Sequence, residues 1–330
     1  MKKNKLIILL VLVVLFTTGC TKQLKNVDGT VVKAEKTNQM LVENVLCRPE
    51  ELKNEYVKAI DKKREDLLKK YEAGDLSKKK YDRERHNLLD IEKLPVCKKM
   101  SAFEGGYETF WTSVFVKPLA WFIIQIGNVL KNNYALALII VTILIRLILL
   151  PFTISSLRQS ENIKKAQDKL NKLEKKYANK NDQQSMMMKS QEMMAIYKEY
   201  NINPFSGCIM SFLQIPLFFA FYEALNRLPV LFEGKFLGLH LGMTPLMGAN
   251  NGAWYYLVLP VLVGLVTYFS FKMNKNQMGD QAKQMNMMFN IMIIMIFITS
   301  FSMSTSIIIY WIISSVFSIA QSLIIKRSKK

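Results

Sequence analysis

Metal and nucleophile chemistry has little to work with in this sequence. Its 330 residues include two histidines, His86 and His240, which are isolated from each other and from any ligand set. Neither an HExxH pattern nor a CxxC pair occurs, and no glycine-rich loop ending in Lys-Ser or Lys-Thr offers a phosphate cradle. Four cysteines are too few to build a disulfide scaffold, and no unit recurs at a fixed period. Acidic residues are also short, 26 against 45 Lys and Arg, for a net charge of +19. That excess suits a nucleic-acid binder only if it gathers on one face. It is instead dispersed: segment 21–110 has 20 basic and 17 acidic residues, and 153–203 has ten and six. No specific nucleic-acid partner is expected.

What is abundant is apolar length. Half of the residues are hydrophobic and 22% are charged, but the two kinds are segregated along the chain. The runs 134–152, 205–226, 253–271, 285–301 and 304–325 carry few or no charges. At 1.5 Å rise per residue, about 20 residues cross the hydrocarbon of a bilayer, so each run is a candidate span. The predicted fold class is an all-α polytopic membrane protein. It has five transmembrane helices after signal removal, a cytoplasmic helical hairpin and a small helical extracytoplasmic domain.

The first 19 residues have a basic start (Lys2, Lys3, Lys5), an apolar stretch from Leu6 to Phe16 and small residues before Cys20. This is the layout of a lipoprotein signal, with Cys20 as the lipidated first residue of the mature chain; an uncleaved anchor is the alternative. Residues 20–106 form the expected extracytoplasmic domain. Within it Leu52, Tyr56, Ile60, Leu67 and Tyr71 recur at helical spacing, Gly74-Asp75 interrupts, and Tyr81, Leu88 and Leu89 resume the pattern after Ser77. A helical hairpin results, read as a solvated spacer in preference to a self-association appendage. Cys47 and Cys97 flank it in a compartment where thiols oxidise, making them a candidate disulfide. Residues 107–131 mix aromatic and polar groups and suit an interfacial amphipathic helix. An over-long first span kinked at Pro118 is the competing reading.

Orientation follows from positive charge. Segment 153–203, loop 272–283 and the tail 326–330 are basic, whereas the only Lys or Arg in 228–252 is Lys235. The C-terminus is therefore predicted to be cytoplasmic and the N-terminus outside. In 153–203, Ile163, Leu170, Leu173 and Tyr177, then Met186, Met193, Tyr197 and Tyr200, make two apolar stripes joined by a polar turn at 179–182. An antiparallel hairpin is expected there. Methionine clusters at 186–188, 193–194 and 285–288 could receive varied apolar partners, although span packing accounts for most of them. Both histidines are read as surface residues.

Arg146 stands inside the first apolar run. A guanidinium keeps its charge, and placing it at a bilayer centre costs at least about 2.5 kcal/mol even on lenient scales. It should face water, a partner or a cavity, or snorkel to cytoplasmic headgroups. The one acidic residue in the runs, Glu223, lies near the outer end of its helix and so at a different depth from Arg146.

Three stretches carry a resemblance. LALIIVTILIRLILLPFTISS (136–156), NINPFSGCIMSFLQIPLFFAFYEAL (201–225) and YWIISSVFSIAQ (310–321), in this order, closely resemble the YidC/Oxa1/Alb3 family of membrane protein insertases in its Gram-positive, lipoprotein-type form. The resemblance covers about 107–325, with an insertase membrane domain at 132–326. It implies a hydrophilic groove open to cytoplasm and lipid and sealed outside, holding Arg146 and lined by Gln214 and Trp311. Thr267, Ser270, Ser300, Ser302 and Gln321 are further polar groups available to it. It implies nascent membrane proteins and membrane lipids as partners, with the Sec translocon and ribosome beside them, a mobile hairpin that engages substrate early, and neither cofactor nor metal. Ile209-Met210-Ser211 and Ser304-Thr305-Ser306 depart from the family pattern, which has prolines at these places. A small transporter or channel using an intramembrane arginine is the alternative function. It would more often show inverted repeats or helix pairs broken in corresponding places.

Overall fold

Each of the five apolar runs is helical in the computed structural model, which describes residues 21–34, 40–50, 55–87, 94–103, 109–178, 180, 182–203, 206–275 and 282–327. The signal segment 1–19 and Cys20 lie outside the described residues, as do Leu88 and Leu89 and the side chains of His86, Cys208 and Met285–Met288. The helices are Tyr134–Ile148, Ser206–Arg227, Val258–Lys275, Ala282–Ser300 and Thr305–Arg327. Among the described residues, Thr112–Val129, Trp254–Met273 and Thr305–Ile325 are long and apolar enough to cross a membrane. A fourth span results if Tyr134–Ile148 and Leu150–Lys165, bent by 53°, count as one. The run at 285–301 contributes the shorter apolar helix Asn290–Ser300.

The bend has a local cause. Pro151 sits in the first turn of the Leu150–Lys165 helix, where its missing N–H costs nothing, but it cannot continue the ladder of the helix before it. The first apolar run is therefore two helices meeting at Leu149, rather than one straight rod ending at 152.

The chain divides into two compact units, whose boundaries fall inside four of the helices. One unit comprises residues up to 141, 216–259 and 301–310. Its N-terminal part combines the expected helices, Glu55–Glu72 and Lys78–Asn87, with an unforeseen set of antiparallel bridges: Gln23 with Val42, Lys25 with Val31, and Lys33 with Met40. Tyr71 stacks on Tyr81 at 4.5 Å between ring centres, closing the hairpin. Leu24, Leu41, Val45, Ile60, Leu67 and Leu76 form its core. Phe232, from the loop after the Ser206–Arg227 helix, completes that core. The domain is thus packed against the segment after the Ser206–Arg227 helix, not a solvated spacer. Cys47 and Cys97 are both buried and form a disulfide, with Cα atoms 4.8 Å apart.

The segment 109–129 starts with a π-helical stretch, Thr112–Val116, and continues as Lys117–Val129. Val116, Ala120, Ile123 and Ile124 are buried, while Phe110, Val114, Phe115 and Phe122 are exposed, so it has two apolar faces instead of one. Its connection to the Tyr134–Ile148 helix is tight. Lys131 and Asn132 take positive φ, and the Asn132 N–H donates to the Gly127 carbonyl at 2.9 Å. A Cβ on Gly127 would lie 2.3 Å from Tyr134 Cδ1, so only glycine allows this approach.

A buried polar junction ties the unit together. Arg227 is 0% exposed, and its Nη1 donates to Glu223 Oε1 at 2.6 Å, one helical turn away. Glu223 Oε2 accepts from Trp111 Nε1 at 3.1 Å. The loop after the Ser206–Arg227 helix carries a two-stranded hairpin, Lys235–Phe236 with Leu239–His240, and His240 N donates to the Tyr256 hydroxyl at 2.6 Å. His240 is half-buried rather than on the surface, and that burial, with Lys235 nearby, lowers its pKa. Where the family pattern has a proline turn, Thr305 N and Oγ1 both donate to the Met243 carbonyl, at 3.0 and 2.8 Å.

Candidate functional site

The other unit, residues 142–215, 260–300 and 311–330, contains all three groove candidates, Arg146, Gln214 and Trp311. Arg146 is in the last turn of the Tyr134–Ile148 helix, three residues before the break, and is half-buried. Thr142, one turn earlier on the same face, is buried. Thr142 and Arg146 therefore put two polar side chains on one face of an otherwise apolar helix. Gln214 is half-buried two residues before Pro216, a proline inside the Ser206–Arg227 helix.

The Thr305–Arg327 helix supplies the longest polar row. Trp311, Ser314, Ser318 and Gln321 follow one another at spacings of three, four and three, which places them on one face. Trp311 Nε1 donates to Thr267 Oγ1 at 2.9 Å, and Thr267 is only 2% exposed. Gln321 Nε2 donates to Thr153 Oγ1 at 2.5 Å, and that hydroxyl donates in turn to the Leu150 carbonyl at 2.8 Å. Ser318 Oγ donates to the Ser314 carbonyl at 3.0 Å. The Ser314 hydroxyl is buried with no hydrogen-bond partner among the described residues. These bonds join the last helix to the 258–275 helix and to the start of the 150–165 helix. Of the other candidates, Ser270 is half-buried, Ser300 Oγ bonds within its own helix to the Phe297 carbonyl, and Ser302 is exposed. Thr142, Thr153, Ser314 and Ser318 escaped the sequence reading, although the period of the last two with Trp311 and Gln321 was a usable signal.

The hairpin expected in 153–203 is built from Gln167–Tyr177 and Gln183–Glu199. Ala166, Leu170 and Ile202 form its core with Ile163, Met193, Ile196, Tyr197 and Tyr200 around them. Asp182 caps the second helix, its carboxylate accepting from Ser185 N at 2.8 Å, which lowers its pKa. Lys176 Nζ donates to Glu192 at 2.7 Å and the Tyr177 hydroxyl joins at 2.8 Å, together holding the Glu192 carboxyl below its ordinary range. Met186 is not part of the stripe: it is 63% exposed, on a helix face that also presents Met187 and Met194.

Chemically, the row on the last helix offers neutral hydrogen-bonding groups, and Arg146, on the Tyr134–Ile148 helix, is a permanent cation. No group of three or more His, Cys, Asp or Glu that could hold a metal occurs among the described residues.

The comparisons with known proteins cover the same region. Residues 125–330 match the family model described as 60Kd inner membrane protein. Membrane protein insertase YidC 2 of Listeria innocua is 33% identical over 221 residues, 67% of this chain and 74% of the relative. Membrane protein insertase MisCA of Bacillus subtilis is 34% identical over 217 residues, 66% of this chain and 79% of the relative. A crystal structure of an active YidC insertase with its first transmembrane domain resolved is similar over 73% of this chain, at 22% identity and a TM-score of 0.48. This chain spans about half of that one, 49%. On the extent of the family match and the identity to these relatives, the chain belongs to the 60Kd inner membrane protein family, the family of the YidC/Oxa1 insertases.

Proposed function

We propose that this chain inserts newly made membrane proteins into the bilayer through a hydrophilic groove formed by Arg146, Gln214 and Trp311. The family match over 125–330 carries the reading. The polar row at 311, 314, 318 and 321 and the half-buried Arg146 in an apolar helix support its location. Apolar transfer, at about 0.8 kcal/mol per buried CH₂, drives insertion without nucleotide hydrolysis once the polar flank of a client has a path. Arg146 attracts acidic residues in that flank. At about 4 Å the attraction is roughly 4 kcal/mol at an effective dielectric of 20, against about 1 in bulk water. Hydration of the guanidinium between clients offsets part of this and keeps the contact temporary.

In this reading the chain has five spans, an outside N-terminus anchored by lipid on Cys20 and a cytoplasmic C-terminus. Segment 107–131 lies at the outer interface, the cytoplasmic hairpin meets clients first, and the Sec translocon and ribosome are neighbours in the work. The deciding test uses matched clients with acidic or neutral translocated tails, inserted by wild type, Arg146→Lys and Arg146→Ala at equal expression. Arg146→Lys should retain much of the activity, and Arg146→Ala should impair the acidic-tailed clients selectively. Indifference to tail charge in all three would sink the electrostatic role. Equal loss in both variants would favour bidentate hydrogen bonding instead.

A further inference from the structure

The extracytoplasmic domain grips the membrane domain at three separate places, and the most informative is Arg227. Its guanidinium is fully buried at the outer end of the Ser206–Arg227 helix. Burial leaves a cation that cannot shed its proton dependent on protein acceptors. Glu223 is one; the backbone carbonyl of Asn44, in the extracytoplasmic domain, is another, accepting from Arg227 Nε at 2.5 Å. The contact is returned, because Leu46 N donates to the Arg227 carbonyl at 3.0 Å. The second place is Phe232, which enters the domain's own hydrophobic core. The third is the Lys98 carbonyl, which accepts from Asn128 Nδ2 at 3.1 Å near the end of the Lys117–Val129 helix. The Cys47–Cys97 disulfide joins the two gripping segments: Cys47 follows Leu46, and Cys97 precedes Lys98.

We propose that this domain is a positioning element of the insertase, latched by Arg227, that fixes the outer ends of the 117–129 and 206–227 helices while clients pass. The proposal rests on the insertase reading. A tethered appendage needs no such geometry. Here one guanidinium is shared between an acid of the membrane domain and a carbonyl of the extracytoplasmic domain, and the acid's other oxygen holds Trp111. Undocking the domain removes an acceptor from a buried cation and bares Phe232, which disturbs the setting of Glu223 and Trp111.

The test uses the full chain in lipid nanodiscs for amide exchange, and cells depleted of other insertases for client insertion. Two variants release the latch from different sides: Arg227→Met removes the shared cation, and Phe232→Ser removes the apolar plug and leaves the ion pair in place. In both, exchange over residues 40–48 should quicken at least tenfold and insertion should fall several-fold, with exchange in the Val258–Lys275 helix unchanged. Arg227→Lys, which keeps a charge for Glu223 and a donor for Asn44, should recover part of both. Faster exchange at 40–48 with insertion intact would make the domain an appendage and overturn the proposal. Lost insertion with 40–48 still protected would overturn it too, since Arg227 would then act by some other route. Failure of the wild type to insert any client would instead remove the insertase reading and this proposal with it. That case is recognisable, because exchange at 40–48 would still respond to both variants.

Discussion

Reducing the Cys47–Cys97 disulfide should loosen the N-terminal domain, residues 20–106, by a calculable amount. The two cysteines are 50 residues apart in sequence, and the loop between them contains both helices of the hairpin. In the chain-entropy model a closed loop of that length removes about 14 cal/mol/K from the unfolded ensemble, or about 4 kcal/mol at 25 °C. Strain is excluded from this figure, and a compact reduced state would lower it. The native neighbourhood persists without the bridge to a degree, because Arg48 N donates to the Pro95 carbonyl and Cys97 N to the Arg48 carbonyl, at 2.9 and 3.0 Å. Those two bonds exist only when the domain is folded, so they do not replace the constraint on the unfolded chain. Ile60 and Leu67, buried in the domain core, report its opening through their amides. At about 1.4 kcal/mol per decade, their exchange should quicken by roughly a thousandfold on reduction, with amides of the Thr305–Arg327 helix as an internal reference. Cys47 and Cys97 should resist alkylation until reductant is added. Acceleration below tenfold, with alkylation complete, would refute the entropic reasoning.

Two further outcomes are expected. Gly127→Ala forces a methyl into the Tyr134 ring, 2.3 Å from its Cδ1, and should cost about 1–3 kcal/mol of stability; thermal melting in detergent should show it, and Tyr134→Ala should relieve it. Glu192 has a pKa lowered by Lys176 and Tyr177, so its contribution to the 167–199 hairpin is present above the ordinary glutamate range, about 4.3, and fades as pH falls through its lowered value. Limited proteolysis between the Gln167–Tyr177 and Gln183–Glu199 helices should accelerate with acid in the wild type, and less steeply in Glu192→Gln.

What could be read from the sequence was whatever local period or local sterics decide. Long apolar runs became helices, and the stripes Ile163–Leu170 and Met193–Tyr200 became the core of the 167–199 hairpin. Gln214 and Trp311 were singled out because their stretches resemble a family, while Ser314 and Ser318, on the same helix face as Trp311, went unread. The bend at Leu149 was foreseeable from Pro151 alone. Pairings made at long range left no such trace. Glu223 was set aside as too far from Arg146 in depth; its partners are Arg227, four residues on, and Trp111, more than a hundred residues back. The bridges between Gln23 and Val42 and between Lys33 and Met40 join short, mostly polar stretches whose pairing depends on a core shared with distant helices. Met186 fits the apolar spacing of its helix and yet points to solvent, because the hairpin's core ends before it.

The turn at Ser304-Thr305-Ser306 bears on the order in which the chain can be completed during synthesis. The Met243 carbonyl takes both donors of Thr305, the Leu241 carbonyl takes Ser306 N, and Leu246 N gives to the Phe301 carbonyl. Four hydrogen bonds of the 241–246 loop thus wait for residues made some sixty positions later. A ribosome adding roughly 5–20 residues per second delivers them several seconds after the loop itself has emerged. Through that interval the loop must leave these groups to water, so it cannot set before the last helix arrives. A member of an insertase family therefore closes this loop of its own last, and a nascent chain stopped before Phe301 would carry every earlier helix and still lack that closure.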